Sequence, residues 1–262
     1  MSGELRGKSA VVTGSTSGIG KVTAERLAAA GANVMLNGFG DAKDIEAFRA
    51  GLEKGGVKAA YHGADMTKPA EIASLIAEAT KAFGAVDILV NNAGIQHVSP
   101  VDEFPPDKWD AIIAIDLSAA FHATRAALPG MKARKWGRII NIASIHGLVA
   151  SPYKSAYVAA KHGLVGFTKA AALEVAQMGV TVNAICPGYA MTAIIEKQVA
   201  DQSRITGVAP ENVVRDVILV DQPTRKLIKV DHLAALVLYL ASEAGESITG
   251  AALSIDGGWT AR

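Results

Sequence analysis

The chain has 262 residues, half of them hydrophobic, with 26 Lys and Arg against 25 Asp and Glu for a formal charge of +1. That balance argues against a nucleic-acid or anionic-membrane binder, since both need concentrated positive charge. The sole cysteine, Cys186, rules out an internal disulfide, and no Cys/His cluster has metal-ligand spacing, so no metal is expected. Residues 1–8 lack the apolar core of a signal peptide, and the apolar stretches read as too short to span a bilayer. A cytoplasmic location is therefore expected.

Short apolar runs alternate with longer amphipathic ones. Residues 9–13 read as a buried strand, followed by a glycine-rich turn and a helix over 19–30 that Gly31 stops. Strands are expected at 33–36, 58–62, 86–90, 138–142, 180–185 and 252–255. Helices are expected at 44–53, 69–83, 107–134, 155–177 and 231–240. Pro69 falls in the first turn of its helix and Gly84 just beyond the end, as helix termini favour. The long 107–134 run carries Pro129, where a bend is expected. Strand-helix alternation on this spacing implies an α/β fold with a doubly wound parallel sheet of about seven strands and helices on both faces. Residues 189–230 break the rhythm with more charge and two prolines, Pro210 and Pro223, and read as a small helical lid on a single domain covering 1–262.

The first strand runs into Thr13-Gly14-Ser15-Thr16-Ser17-Gly18-Ile19-Gly20. A glycine loop between the first strand and first helix is a dinucleotide cradle. Gly14 permits the tight turn, Gly18 admits the pyrophosphate, and Gly20 lets helix and strand pack. Free N–H groups at the helix start favour phosphate. The second strand ends at Asn37-Gly38-Phe39-Gly40-Asp41, with no Arg or Lys to meet a 2′-phosphate, which favours NAD. Lys43 reads as a solvated helix residue. Asp65 and Met66 border the adenine position, although Asp65 could equally cap the next helix. Asn91-Asn92-Ala93-Gly94 supplies a floor of small residues.

Ser144 lies just past the fifth strand. Tyr157 and Lys161 are four apart on the next helix and share a face. The carboxyl ends of parallel strands are where such folds hold ligands. Oxidising an alcohol requires a base for the hydroxyl proton. A tyrosine, with an ordinary pKa of about 10, needs a neighbouring positive charge to serve. Lys161 provides that charge, and Ser144 can hold the reacting oxygen beside Tyr157.

These ordered pieces, with Pro187-Gly188, resemble the short-chain dehydrogenase/reductase family over essentially the whole chain. The resemblance implies that Lys161 also binds the nicotinamide ribose and that Thr192 touches the nicotinamide amide. One departure stands out. The family's fourth catalytic position is usually an asparagine, and Asp116-Leu117-Ser118 occupies it here. A main-chain role could survive as Asp116, while a carboxylate there could stabilise charged Lys161 and weaken it as a proton relay. Activity is expected to persist.

Within the family, a closer resemblance is to the branch acting on D-3-hydroxybutyrate. It is carried by Asn37-Gly38-Phe39-Gly40, Gly94-Ile95-Gln96-His97, residues 143–151, Lys154-Ser155-Ala156-Tyr157 and the ending 256–262. It implies that Gln96, His146, Lys154 and Gln198 hold the carboxylate of a small 3-hydroxy or 3-oxo acid, with Tyr189 and Trp259 as apolar walls. That branch often has tryptophan where this chain has Tyr189. Relatives are commonly homotetramers, and the alanine-rich helices 107–134 and 155–177 are candidates to pair. Competing readings are an NADPH-dependent reductase of 3-oxoacyl thioesters, a non-catalytic NAD sensor, and a scaffold. The first would want basic residues near the second strand end, and the second would usually lose Tyr157 or Lys161.

Overall fold

The structure, a computed structural model, describes residues 4–190 and 193–261, and of 193–198 the backbone only. In chain order the elements are β1 (Ser9–Val12), α1 (Gly18–Ala29), β2 (Asn33–Asn37), α2 (Ala42–Glu53), β3 (Ala59–His62), α3 (Pro69–Phe83) and β4 (Ile88–Asn91). Then follow α4 (Pro106–Ile113), α5 (Ala119–Arg134), β5 (Gly137–Ile142), α6 (Ser155–Val175), β6 (Val180–Pro187), α7 (Ala193–Thr206), α8 (Pro210–Val213), α9 (Val230–Ala241) and β7 (Ala252–Ile255). The strands form one parallel sheet in the order β3-β2-β1-β4-β5-β6-β7. The order reverses between β1 and β4, which opens a crevice at their carboxyl ends.

Strands buried on both faces are mainly apolar, and β1, β4, β5 and β6 have every residue buried. Alternation along each strand divides the core. Ala10, Val12, Ile88, Val90, Ile140 and Ile142 pack on the layer with α1 and α9. Val11, Leu89, Ile139 and Val182 face the layer of α3, α5 and α6. The expected element ends shift by a residue or two. Helix α2 begins at Ala42 because Asp41 caps it, accepting from the Lys43 and Asp44 amides.

The run 106–134 departs from expectation at a different place. The α-helix continues through Pro129 to Arg134, while residues 114–118 form a π-turn between α4 and α5. Such a turn re-aims the side chains it carries and is often found at functional sites. Here it carries Asp116, which is 2% exposed. By length and mean hydropathy the helical run Pro106–Arg134 would suffice to cross a bilayer, which corrects the expectation that every apolar stretch is too short. Its small residues Ala119, Ala123 and Ala127 and Met131 pack into the sheet's core layer.

Residues 189–230 leave and return at one point, where Ala190 bridges Ile228 and the Ile228 amide donates to the Tyr189 carbonyl. Between them α7, α8 and a second π-turn (214–218) gather around buried Val213, Ile218 and Leu219.

Candidate active site

A cleft of about 390 Å³ runs along the carboxyl ends of β1, β2, β4, β5 and β6. At one end the glycine loop forms a backbone cradle. Gly14 and Gly18 have φ of 63° and 53°, a region that side chains rarely tolerate. Ser17 makes no side-chain cap hydrogen bond, so the first turn of α1 presents its amides to the cleft. Asn92 clamps the loop from β4, donating to the Thr13 and Gly14 carbonyls at 2.9 and 3.1 Å. Gly20 stands behind the cradle rather than in the cleft, where a Cβ would collide with the Gly14 carbonyl oxygen and the Asn92 amide. Gly20→Ala is therefore expected to push α1 off β1. It should cost about 1–3 kcal/mol of stability and much of the nucleotide affinity. Thermal melts with and without cofactor check this, and an unshifted Tm in both would contradict it.

Thr16, Ser17, Ile19, Phe39, Asp65, Met66, Ala93, Gly94, Pro187 and Gly188 also line the cleft. Phe39 is 69% exposed, and Thr16 Oγ1 donates to its carbonyl at 2.9 Å. Asp65 lines the cleft and also opens a turn, accepting from the Thr67 amide and hydroxyl at 2.9 and 2.7 Å. Those hydrogen bonds, with Lys68 adding to them, hold its carboxyl below the usual range. Asp65 does not cap α3, whose N-cap is Lys68; its carboxylate closes the turn ahead of that helix. Asn37, fully buried at the end of β2, ties the region together. Its amide group donates to the His62 and Ala64 carbonyls, each at 3.0 Å, and its Oδ1 accepts from the Gly14 amide. It was missed as an organising residue, though a polar residue ending an apolar strand was the available signal.

At the other end the structure brings Ser144, Tyr157, Lys161 and Asp116 together. The Ser144 hydroxyl lies beside that of Tyr157 and favours its ionised form. Lys161 Nζ donates to the Ile142 carbonyl at 3.1 Å, lies 5.5 Å from the Tyr157 ring centroid and pairs with Asp116 Oδ2 at 3.3 Å. Asp116 Oδ1 accepts the Ile95 amide at 2.8 Å. Gly94 makes room for the pair, since a Cβ there would lie 2.9 Å from Asp116 Oδ2. Burial raises the Tyr157 phenol, opposed by Lys161 and reinforced by Asp116. Burial would lower Lys161, but Asp116 and then Tyr157 overcome it and hold the ammonium above its usual range. Burial raises the Asp116 carboxyl against the pull of Lys161 and the Ile95 amide.

Beside this set lies a polar pocket. Lys154 is 2% exposed at the start of α6. Its Nζ donates to the Tyr189 hydroxyl at 2.9 Å, and burial lowers it to about 8. Tyr189 is therefore more than the expected apolar wall, because its hydroxyl positions the lysine. His146 Nε2 lies 2.8 Å from Ser151 Oγ and its Nδ1 3.4 Å from Ser144 Oγ. Burial, with Lys154 adding, lowers His146 to about 3 and keeps the ring neutral. Gln96 lines the same cleft. Trp259 does not line it but stands behind, 5.5 Å from the Tyr189 ring and 5.6 Å from His146. Thr192 and the Gln198 side chain lie outside the described residues.

Two residues supporting this pocket were not foreseen. Gln222, fully buried, accepts the Tyr189 amide at 3.3 Å and donates to the Lys226 carbonyl. Asp256 accepts from the Gly258 and Thr260 amides and the Thr260 hydroxyl, which outweigh burial and hold its carboxyl low. An Asp ahead of Gly-Gly-Trp-Thr was a legible turn signal, whereas nothing local marks Gln222.

A parallel sheet with a nucleotide cradle at its reversal point, and a hydroxyl–phenol–ammonium set at the next strand end, defines an oxidoreductase that uses a nicotinamide nucleotide. The short chain dehydrogenase family model matches residues 8–203, and the chain belongs to that family. Among its relatives are D-beta-hydroxybutyrate dehydrogenases of Rhizobium meliloti (strain 1021) and Cupriavidus necator. They are 57% and 56% identical over 258 residues, covering 97% and 98% of this chain and 99% and 100% of those proteins. A crystal structure of a variant actinorhodin polyketide ketoreductase with NADPH aligns at a TM-score of 0.91 and 34% identity over 99% of each chain.

Proposed function

We propose that this enzyme catalyses the reversible, NAD-dependent oxidation of D-3-hydroxybutyrate to acetoacetate, with Tyr157 as general base. The observation that carries the choice of substrate is the buried ammonium of Lys154, one helical turn before Tyr157 and facing the same cleft. A small carboxylate held by Lys154, His146, Gln96 and Gln198 sets its 3-hydroxyl at Ser144 and Tyr157. Bound NAD supplies the hydride acceptor. Ser144 orients the hydroxyl oxygen, Tyr157 takes its proton, and Lys161 stabilises the phenolate. In reduction Tyr157 returns the proton.

The cradle of Gly14 to Gly20 and the floor of Asn92 to Gly94 would hold the pyrophosphate and ribose. NAD is favoured over NADP because the cleft at the end of β2 is lined by Asn37, Gly38 and Phe39. Asp41 is committed to capping α2, and exposed Lys43 sits on that helix. A long acyl thioester is disfavoured by the aromatic group of Tyr189, His146 and Trp259 packed at this end. Tyr157 and Lys161 together argue against a non-catalytic sensor. We take 1–262 as one catalytic domain with 189–230 as its substrate lid. A homotetramer pairing through α5 and α6 agrees with exposed Phe121 and Leu173 on those helices.

Formation of NADH or NADPH from D- and L-3-hydroxybutyrate, each offered with NAD and with NADP, tests the reading. Turnover of the D enantiomer with NAD is expected. A flat trace with both enantiomers and both cofactors defeats it.

A further inference from the structure

We infer that Asp116 is a positioning residue that sets the working pH of this enzyme, by taking up charge from Lys161 that would otherwise act on Tyr157. The inference rests on Tyr157 being the base. Its ground is geometric. The π-turn at 114–118 aims Asp116 into the cleft, and its side chain has no exposure. One carboxylate oxygen takes the Ile95 amide at 2.8 Å and the other faces Lys161 Nζ at 3.3 Å. Both partners are donors, so the ionised carboxylate is the matched form. The missing side chain of Gly94 leaves the space the pair fills. An anion this close to the ammonium makes the pair nearly neutral as seen from the phenol. Tyr157 then loses part of the field that makes it a base, in a buried site where charges are weakly screened. The opposite pulls of Lys161 and Asp116 on the phenol agree in sign.

The other groups around the pair leave this assignment distinct. From β6, the Cys186 thiol is pushed up to about 11 by burial and stays neutral. Tyr189 beyond it is raised by burial and also stays neutral. From the loop after β5, Ser144 carries no charge and His146 is neutral above about 3. On α6, burial lowers Lys154 to about 8, so its loss of charge adds a separate break to the profile.

The test is the pH dependence of kcat/KM for oxidation of D-3-hydroxybutyrate in the wild type, Asp116→Asn and Asp116→Ser. In both neutral variants the limb set by Tyr157 should move about one pH unit or more toward lower pH. The break near 8 set by Lys154 should stay in place. A Tyr157 limb that stays where it is, or moves to higher pH, overturns the inference. A second readout needs no turnover. Phenolate absorbance of the cofactor-free protein, less that of Tyr157→Phe in the same background, should titrate at lower pH when Asp116 is neutralised. An unchanged midpoint also overturns the inference. A wild type that oxidises neither enantiomer instead removes the functional reading and leaves this phenolate titration to decide Asp116.

Discussion

Tyr157→Phe is expected to lower kcat for oxidation by about 10²–10⁴-fold while leaving cofactor affinity within a few-fold. The phenyl ring keeps the packing of α6 and the edge contact with His146, whose ring centroid lies 6.0 Å away. What is lost is the hydroxyl whose ionised form Lys161 and then Ser144 support. Because burial holds the phenol above its ordinary range, wild-type oxidation should rise with pH as the phenolate becomes accessible. Tyr157→Phe should show no such rise. Steady-state rates with a fluorescence titration of cofactor separate the two effects. A variant that keeps most of its turnover would assign the proton to another group.

Lys154→Met should weaken binding of the 3-hydroxy acid by about ten- to a hundredfold. This corresponds to the roughly 1.5–3 kcal/mol of a hydrogen bond to a charged group. Methionine refills much of the buried space, so the loss reports charge more than packing. The sign with pH follows from burial, which lowers Lys154 to about 8 in the free enzyme. Below that pH the ammonium is present and an anion binds fully; as pH rises through about 8 the charge and the affinity are lost. Titrating acetate or acetoacetate into the enzyme with NADH should show this decline in the wild type and a flat response in Lys154→Met. Cofactor affinity should hardly change, because Lys154 sits at the opposite end of the cleft from Gly14 to Gly20. Equal loss of cofactor and acid binding would remove the carboxylate role.

Most of the sheet and helix pattern was readable in one dimension. Apolar runs of strand length alternated with helical ones, and Pro69 and Gly84 marked both ends of α3, where Gly84 takes a left-handed φ of 86°. The glycine loop and the Tyr157 to Lys161 spacing were readable because chemistry requires those residue types at those separations. The π-turn was not. A helix that widens over five residues has the composition of one that does not, and Pro129 was the more visible irregularity. Gln222 was equally silent, since Tyr189, whose amide it accepts, lies 33 positions away in the chain.

The residues alone determined the class of fold, the cradle and the reacting set, because local propensity, period and spacing act along the chain. Tertiary structure decided the state of each group. Lys154 is a cation in any sequence reading, and only the structure shows that it is buried and held by the Tyr189 hydroxyl. Asp116 reads as a carboxylate that could act on Lys161, and only the π-turn that brings it 3.3 Å from the ammonium makes the pair real. Charge and basicity depend on what surrounds a side chain in space, and sequence order does not carry that information.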